Sequence, residues 1–199
     1  AQAQLCGLWT IDEAQAAEKS ERFGCRTYPS AAALLDDDTI DAVFILTPLE
    51  THHEYACQAL ESGKHILIEK PVSTDAAQIR EIRDLAAKRD LVCMPGHNYI
   101  HEPGITRIKE MLDVGKLGRV VSVYILYNIA HAEHIAARYP GVISQIMTHH
   151  AYALMYLVGP PVRLSAMKAT LNYETITQEN IAMVNLQLAD GALAHFSAS

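Results

Sequence analysis

The sequence predicts two halves of different class: residues 1–97 as α/β on a parallel sheet, and residues 98–199 as α+β on a mostly antiparallel sheet. Three observations predict this. Short apolar runs in the first half are each followed by turn residues and then by helical periodicity, the alternation that builds parallel sheets. Beyond Gly96 the runs lengthen and alternate polar with apolar residues, as a sheet with one covered face requires. Two of the later runs are joined by Ala189-Asp190-Gly191-Ala192, a hairpin signal.

In chain order, the runs LCGLW at 5–9, AVFIL at 42–46, HILIE at 65–69 and LVCM at 91–94 read as the strands of the first half. Asp12 with Gln15 forms a capping pair for a helix that Gly24 stops, and Ser30 caps a shorter helix ending at the acidic run 36–38. Thr51 with Glu54 is a capping box whose helix stops at Gly63. Ser73 or Thr74 opens the next helix, with Ile79, Ile82, Leu85 and Ala86 on one apolar face. In the second half a helix at 105–112 leads through KLGR into a strand at 120–127. Further strands are expected at 162–172, 181–188 and 193–197, with a helix at 144–158 ended by Gly159-Pro160.

Composition excludes several classes. Lys and Arg number 16 against 23 Asp and Glu, so the net charge of −7 offers no basic stripe to phosphate backbones or anionic membranes. The apolar runs fall far short of the roughly 18 residues a spanning helix needs. Residues 1–5 carry no basic leader, so no export is expected. The 4 cysteines, at 6, 25, 57 and 93, form no CxxC pair, and a reducing cytoplasm is expected.

Chemistry concentrates in the stretch from Thr47 to Pro71, TPLETHHEYACQALESGKHILIEKP. Its TP and EKP both fall at the carboxyl ends of predicted parallel strands, where open α/β sheets bind ligands. Lys70 is thereby aimed at the ligand crevice. For an arbitrary Glu-Lys dipeptide the competing reading is a surface ion pair, but the surrounding pattern outweighs it. Thr47, Pro48, His52, Ala59, Leu60, Gly63, Lys64, His65, Glu69, Lys70 and Pro71, followed by GHNYIHEP at 96–103 and KLGR at 116–119, carry a family likeness. The chain resembles the nicotinamide-dependent sugar oxidoreductases related to glucose-fructose oxidoreductase and inositol dehydrogenase, the Gfo/Idh/MocA family.

That resemblance implies a partial Rossmann domain followed by a substrate-binding and oligomerisation domain. It implies that Lys70 contacts the sugar hydroxyl and the nicotinamide, and that Thr47, Pro48, His52 and Glu69 belong to the cofactor side. For His52 and His53 a partly exposed first-turn histidine is an equal alternative. Asn98 falls where the family contacts cofactor and substrate, while Tyr99 and His101 face the substrate or are ordinary loop polarity. His97 stands where the family has an aromatic residue.

On the helix at 144–158, Gln145, His149, Tyr152 and Tyr156 recur at i, i+4, i+7 and i+11, which makes one polar stripe. Met147, Ala151, Leu154, Met155 and Val158 make the opposing apolar stripe. The resemblance places His149 on the family's catalytic histidine in the pattern D-x-G-x-H-x-x-D. Here that pattern reads Gln145, Met147, His149 and Tyr152, so only the histidine is kept. Gln145 can orient the ring but brings no charge to stabilise an imidazolium, which predicts a weakened base or altered chemistry. Tyr152 joins His149 on the substrate side. His131 and His134, without a third ligand, are read as solvated loop residues, and no metal is assigned.

Family members open with a strand and a glycine-rich turn that binds the cofactor pyrophosphate; neither precedes Leu5, so a chain lacking its first βα unit, truncated at both ends, is expected. Its parallel strands would then stand in two fragments. Thr10 occupies the place of the ribose-binding carboxylate, which leaves NAD and NADP both open. Taken together these residues predict an NAD(P)-dependent oxidoreductase of a sugar or polyol, homo-oligomeric through the second half's sheet. Alternatives are an epimerase or glycosidase using transient oxidation, and a catalytically impaired cofactor-binding or interaction subunit.

Overall fold

The computed structural model describes residues 3–137, 140–171 and 175–199, and it divides into two compact units, Ala1–Gly96 and His97–Ser199. The first unit runs β1 (Gly7–Leu8), α1 (Glu13–Phe23), β2 (Arg26–Thr27), α2 (Ala31–Leu35), β3 (Ala42–Ile45), α3 (His52–Glu61), β4 (His65–Ile68), α4 (Ala76–Lys88) and β5 (Cys93–Pro95). All its strand pairs are parallel, in a 2-stranded sheet β1-β2 and a 3-stranded sheet β3-β4-β5. Its core packs Ile45, Ile66 and Ile68 of the strands against Ala56, Ala59 and Leu60 of α3 and Ile82 and Ala86 of α4. The polar, exposed β2 is too short and too hydrophilic to announce itself as a strand.

Local signals set most helix ends. The Asp12 carboxylate accepts from Gln15 N–H at 3.0 Å, Ser30 accepts from Ala33 N–H at 3.0 Å, and Gly24 closes α1 at φ 63°, a left-handed conformation that favours glycine. Two caps differ from expectation. Thr51 does not cap α3 through its side chain: a 3₁₀ turn at Leu49–Thr51 precedes the helix, and the hydroxyl donates back to Pro48 O at 2.8 Å. Asp75, not Ser73 or Thr74, caps α4 by accepting from Ala77 N–H at 2.7 Å, while Ser73 Oγ accepts from Asp75 N–H. Ile79 of the expected apolar face is exposed; Ile82 and Ala86 are buried.

The second unit opens with a 3₁₀ turn at Asn98–His101 and continues through α5 (Pro103–Asp113), β6 (Ser122–Tyr127), α6 (Glu133–Ala136), a π-helical turn at Ile143–Met147, α7 (Thr148–Val158), β7 (Pro161–Ala169), β8 (Ile181–Leu188) and β9 (Leu193–Ala198). Asn172, the expected last residue of the β7 segment, lies outside the described residues. The sheet order is β6-β9-β8-β7. β8 and β9 form the expected hairpin, but β6 pairs with β9 in parallel, so the sheet is mixed. Alternation in β6 records its one covered face, which says nothing of the direction of its neighbour. Ala182, Val184, Leu186, Ala194 and Phe196 face Met147 and Leu154 in the core. Met155, expected on the buried stripe, is exposed, and His150 takes an interior position instead. Met147, His150 and Leu154 stand at i, i+3 and i+7, so the buried face follows that line and leaves Met155 beside it. Among the described residues no helix is long and apolar enough to cross a membrane.

Candidate active site

In the first unit, the carboxyl ends of β3 and β4 are extended beyond the strands by backbone hydrogen bonds. Glu69 N–H donates to Ile45 O at 3.0 Å, and Gly96 N–H donates to Ile68 O at 2.7 Å. Gly96 passes so close that a Cβ there would lie 3.3 Å from Ile68 O. Thr47 and Pro48 follow β3, while Glu69 and Lys70 follow β4, the Lys70–Pro71 peptide bond being cis.

His52 joins these two strand ends. It is 2% exposed, with Nδ1 3.0 Å from Pro71 O and Nε2 2.8 Å from Thr47 O. The ring thus straps the backbone beside Lys70 to the backbone at Thr47, which excludes the partly exposed alternative for this residue. Thr51 Oγ1 lies 2.8 Å from Thr47 Oγ1 and closes the same turn. Glu69 Oε2 accepts from the backbone N–H of Lys70 at 2.9 Å. The half-buried Lys70 ammonium is held below its ordinary 10.5 by desolvation, with the Glu69 carboxylate pulling the other way. Lys64 of the same motif serves the fold, donating from Nζ to Asp37 O at 2.9 Å.

Thr10 sits in the turn that opens α1, where its Oγ1 lies 3.5 Å from Gln15 Oε1. Its neighbour Trp9 meets Tyr55 of α3 edge to face, with centroids 5.6 Å apart. His53, one position beyond the strap, turns outward: its Nε2 lies 2.9 Å from Glu81 Oε2 of α4 and 3.6 Å from Cys57 Sγ.

In the second unit four rings gather around α7. His149 is 6% exposed and stacks on Tyr99, with centroids 4.2 Å apart and planes 15° from parallel. His97 stacks on Tyr152 at 4.3 Å and meets His149 edge to face at 5.9 Å. The structure therefore brings Tyr99, His149 and Tyr152 together and adds His97. Burial raises the Tyr99 phenol, with Tyr127 and Glu102 adding to the effect, so it remains protonated at neutral pH.

Gln145 lies in the π turn and lines a cavity of about 500 Å³ together with Asn128, His131, Gln178, Glu179 and Asn180. Asn98 and His101 lie on the 3₁₀ turn and are exposed. Sequence reasoning passed over Glu179. Its carboxylate reaches Ile143 N–H at 3.3 Å and Lys168 Nζ at 3.2 Å, while its carbonyl accepts from Val142 N–H at 3.0 Å. It anchors the start of the helical segment that carries His149. Nothing local in the sequence marks it, because its partners lie 11 to 37 residues away.

Comparison with known proteins gives this arrangement a family. A family model described as "Oxidoreductase family, NAD-binding Rossmann fold" matches residues 1–97, and one described as "GFO/IDH/MocA C-terminal domain" matches residues 105–199. The chain is 36% identical to a dTDP-3,4-didehydro-2,6-dideoxy-alpha-D-glucose 3-reductase of Actinomadura kijaniata over 55% of this chain and 33% of the relative. It is 30% identical to a UDP-N-acetylglucosamine 3-dehydrogenase of Acidithiobacillus ferrooxidans over 99% of this chain and 60% of the relative. A solved levoglucosan dehydrogenase in complex with NADH and levoglucosan superposes with a TM-score of 0.90 at 25% identity, covering 98% of this chain and 57% of that one. The chain spans from a third to three-fifths of the length of these proteins. With one family's two domain models matched in succession along its length, the chain belongs to the Gfo/Idh/MocA oxidoreductases.

Proposed function

We propose that this chain carries the chemistry of an oxidoreductase that moves hydride between a secondary alcohol of a sugar or polyol and the nicotinamide of NAD or NADP. Lys70 is its electrophile and His149 its acid/base. The observation that carries the reading is the seating of His149: a nearly buried imidazole held face to face by Tyr99 and edge-on by His97. The activities named for the relatives above supply the sugar or polyol class.

The strand ends fit a dinucleotide. Gly96 keeps side-chain bulk away from Ile68 O and Glu69, and the exposed Leu46 and Pro48 offer apolar surface beyond β3. Thr47, Pro48 and Lys70 would hold the nicotinamide end, with Glu69 and the His52 strap fixing the backbone from which Lys70 projects and Thr10 on the ribose side. When bound, the nicotinamide supplies the hydride acceptor or donor. His149 takes the proton of the substrate hydroxyl, and the partly desolvated Lys70 ammonium stabilises the alkoxide that results. Where the family has a carboxylate to support the imidazolium, this chain has Gln145. The face of Tyr99 against the ring supplies part of that support as a cation–π contact. Tyr152 is placed with His149 on the substrate side; the exposed Asn98 and His101 add polar groups for cofactor and substrate.

The outer face of the second unit's sheet is where we place a second copy of the chain. Leu126, Met183 and Met167 lie in one register row across that face, with Tyr124 and Leu193 beside it, all exposed. The free cysteines at 6, 25, 57 and 93 support a reducing cytoplasm as its compartment.

The test is formation of reduced cofactor from NAD⁺ and NADP⁺ over a set of sugars and polyols, with calorimetry of all four dinucleotides. Net reduction, lowered roughly 10²–10⁴-fold in His149→Ala, is the expected result. No turnover and no binding heat would overturn the proposal. Bound cofactor that cycles without net accumulation would replace it with epimerisation or elimination by transient oxidation.

A further inference from the structure

We propose that His53, Cys57 and Glu81 form a binding site for a divalent cation of the zinc class. The site lies within the first unit, on the packed pair α3 and α4, and is independent of the dehydrogenase reading. His53 and Cys57 stand one helical turn apart on α3, and α4 brings Glu81 to them. One donor atom from each residue, His Nε2, Cys Sγ and a Glu carboxylate oxygen, lies within 4.8 Å of the other two.

One nitrogen stands at the centre of the cluster. His53 Nε2 is the shared member of both contacts, 2.9 Å from Glu81 Oε2 and 3.6 Å from Cys57 Sγ. Nε2–H donates to the carboxylate with the sulfur beside it as a weak second acceptor; deprotonated, the same nitrogen presents its lone pair beside two further donor atoms. A cation engages all three at once, because imidazole, thiolate and carboxylate all present lone pairs to it.

The distances suit that occupant. Tetrahedral zinc with Zn–S of about 2.3 Å and Zn–N of about 2.0–2.1 Å holds nitrogen and sulfur about 3.5 Å apart. The observed 3.6 Å separation matches. The carboxylate lies a few tenths of an ångström too near the nitrogen for a shared ion, and the Glu81 side chain, 62% exposed, has room to withdraw. Three protein ligands leave a fourth position for water, and the sulfur–nitrogen–oxygen set favours Zn²⁺ or Co²⁺ over Mg²⁺ or Ca²⁺. An ion there would cross-link α3 to α4 one residue from the His52 strap.

Titration of the reduced, metal-stripped chain with Co²⁺ tests the site. The expected result is one Co²⁺ per chain with a thiolate-to-cobalt charge-transfer band and the intense visible bands of tetrahedral cobalt, displaced by Zn²⁺. Cys57→Ser removes the thiolate band, whereas Cys93→Ser keeps it. Because Cys57 packs against the core, the surface variant Glu81→Gln carries the argument if Cys57→Ser misfolds by circular dichroism. Glu81→Gln and His53→Gln should each weaken Co²⁺ binding by roughly tenfold or more, the size of loss that even an outer-sphere partner produces. Absence of a thiolate band, a band that survives in folded Cys57→Ser, or affinity unchanged in both Glu81→Gln and His53→Gln would overturn the site.

Discussion

The imidazole of His149 lies parallel to the phenol ring of Tyr99, with centroids 4.2 Å apart and planes at 15°. A face-on aromatic ring holds the imidazole in orientation and favours its protonated form, at about 0.5–1 kcal/mol for a cation over a ring. Tyr99→Phe keeps the face and should leave kcat nearly unchanged. Tyr99→Leu loses it, and kcat should fall roughly two- to fivefold with KM little altered. A full loss of rate in Tyr99→Phe would show instead that the hydroxyl acts directly.

His150, the next residue, has the opposite surroundings. It is 1% exposed between Phe196 and Tyr127, and among the described residues its Nδ1 has no hydrogen-bond partner. Desolvation pushes it down from the ordinary 6.5 to about 4. In that window the unfolded chain binds the extra proton and the folded chain does not, so acid favours unfolding. Stability should be complete above about pH 6.5 and decline as pH falls toward 4, by roughly 3 kcal/mol for this residue alone. Urea denaturation of wild type and His150→Leu at pH 7 and pH 4.5 checks this. The variant should lose distinctly less stability on acidification.

These neighbours show what a sequence does and does not reveal. The caps at Asp12 and Ser30, the stop at Gly24 and the hairpin at Gly191 are local in chemistry, so composition at fixed spacing sufficed to find them. The TP and EKP motifs were equally plain, being strand ends in a recognisable order. The π turn at Ile143–Met147 was hidden, because the residues that allow i→i+5 bonding are those that allow an α-helix. The buried face runs through Met147, His150 and Leu154 at i, i+3 and i+7, and a histidine on that line does not announce itself as core. The parallel pairing of β6 with β9, the Glu179 anchor and the approach of Glu81 to Cys57 depend on contacts across long separations, for which no pattern along the chain stands proxy.

Gly141 and Glu179 are coupled by space. Gly141 has φ 96°, and a Cβ there would come within 2.3 Å of Glu179 Oε1. Gly141→Ala combines backbone strain with displacement of a buried carboxylate from Ile143 N–H, and should cost about 2–4 kcal/mol in urea denaturation. Adding Glu179→Ala removes the collision but not the strain. The double variant should therefore be less destabilised than the sum of the single ones.

The outer sheet face makes a prediction about assembly. Met167 is 75% exposed and aligned with Met183 and Leu126. Met167→Lys places a charge at the β7 end of this row at little expense to the monomer, since surface changes usually stay within about 0.5 kcal/mol. Sedimentation should show wild type as a dimer or larger and the variant shifted toward monomer. Identical sedimentation of the two, or a monomeric wild type at all concentrations, would count against pairing through this face.

The His52 strap gives a prediction that separates folding from chemistry. His52→Ala leaves the carbonyls of Thr47 and Pro71 without their imidazole contacts and opens a cavity at a position only 2% exposed, so a loss of about 2–4 kcal/mol is expected. His52→Gln is the informative partner, because an amide N–H can still reach one of the carbonyls and restores part of the stability. If the strap positions Lys70, as its hold on the adjacent Pro71 carbonyl implies, kcat/KM should follow the strap even at low temperature, where both variants remain folded. Calorimetry with NADH, read beside circular dichroism, then distinguishes the cases. A folded His52→Ala with unaltered cofactor binding and kcat would make His52 a matter of packing alone, whereas weaker binding in a fully folded sample, partly restored in His52→Gln, ties the backbone geometry around Lys70 to its function.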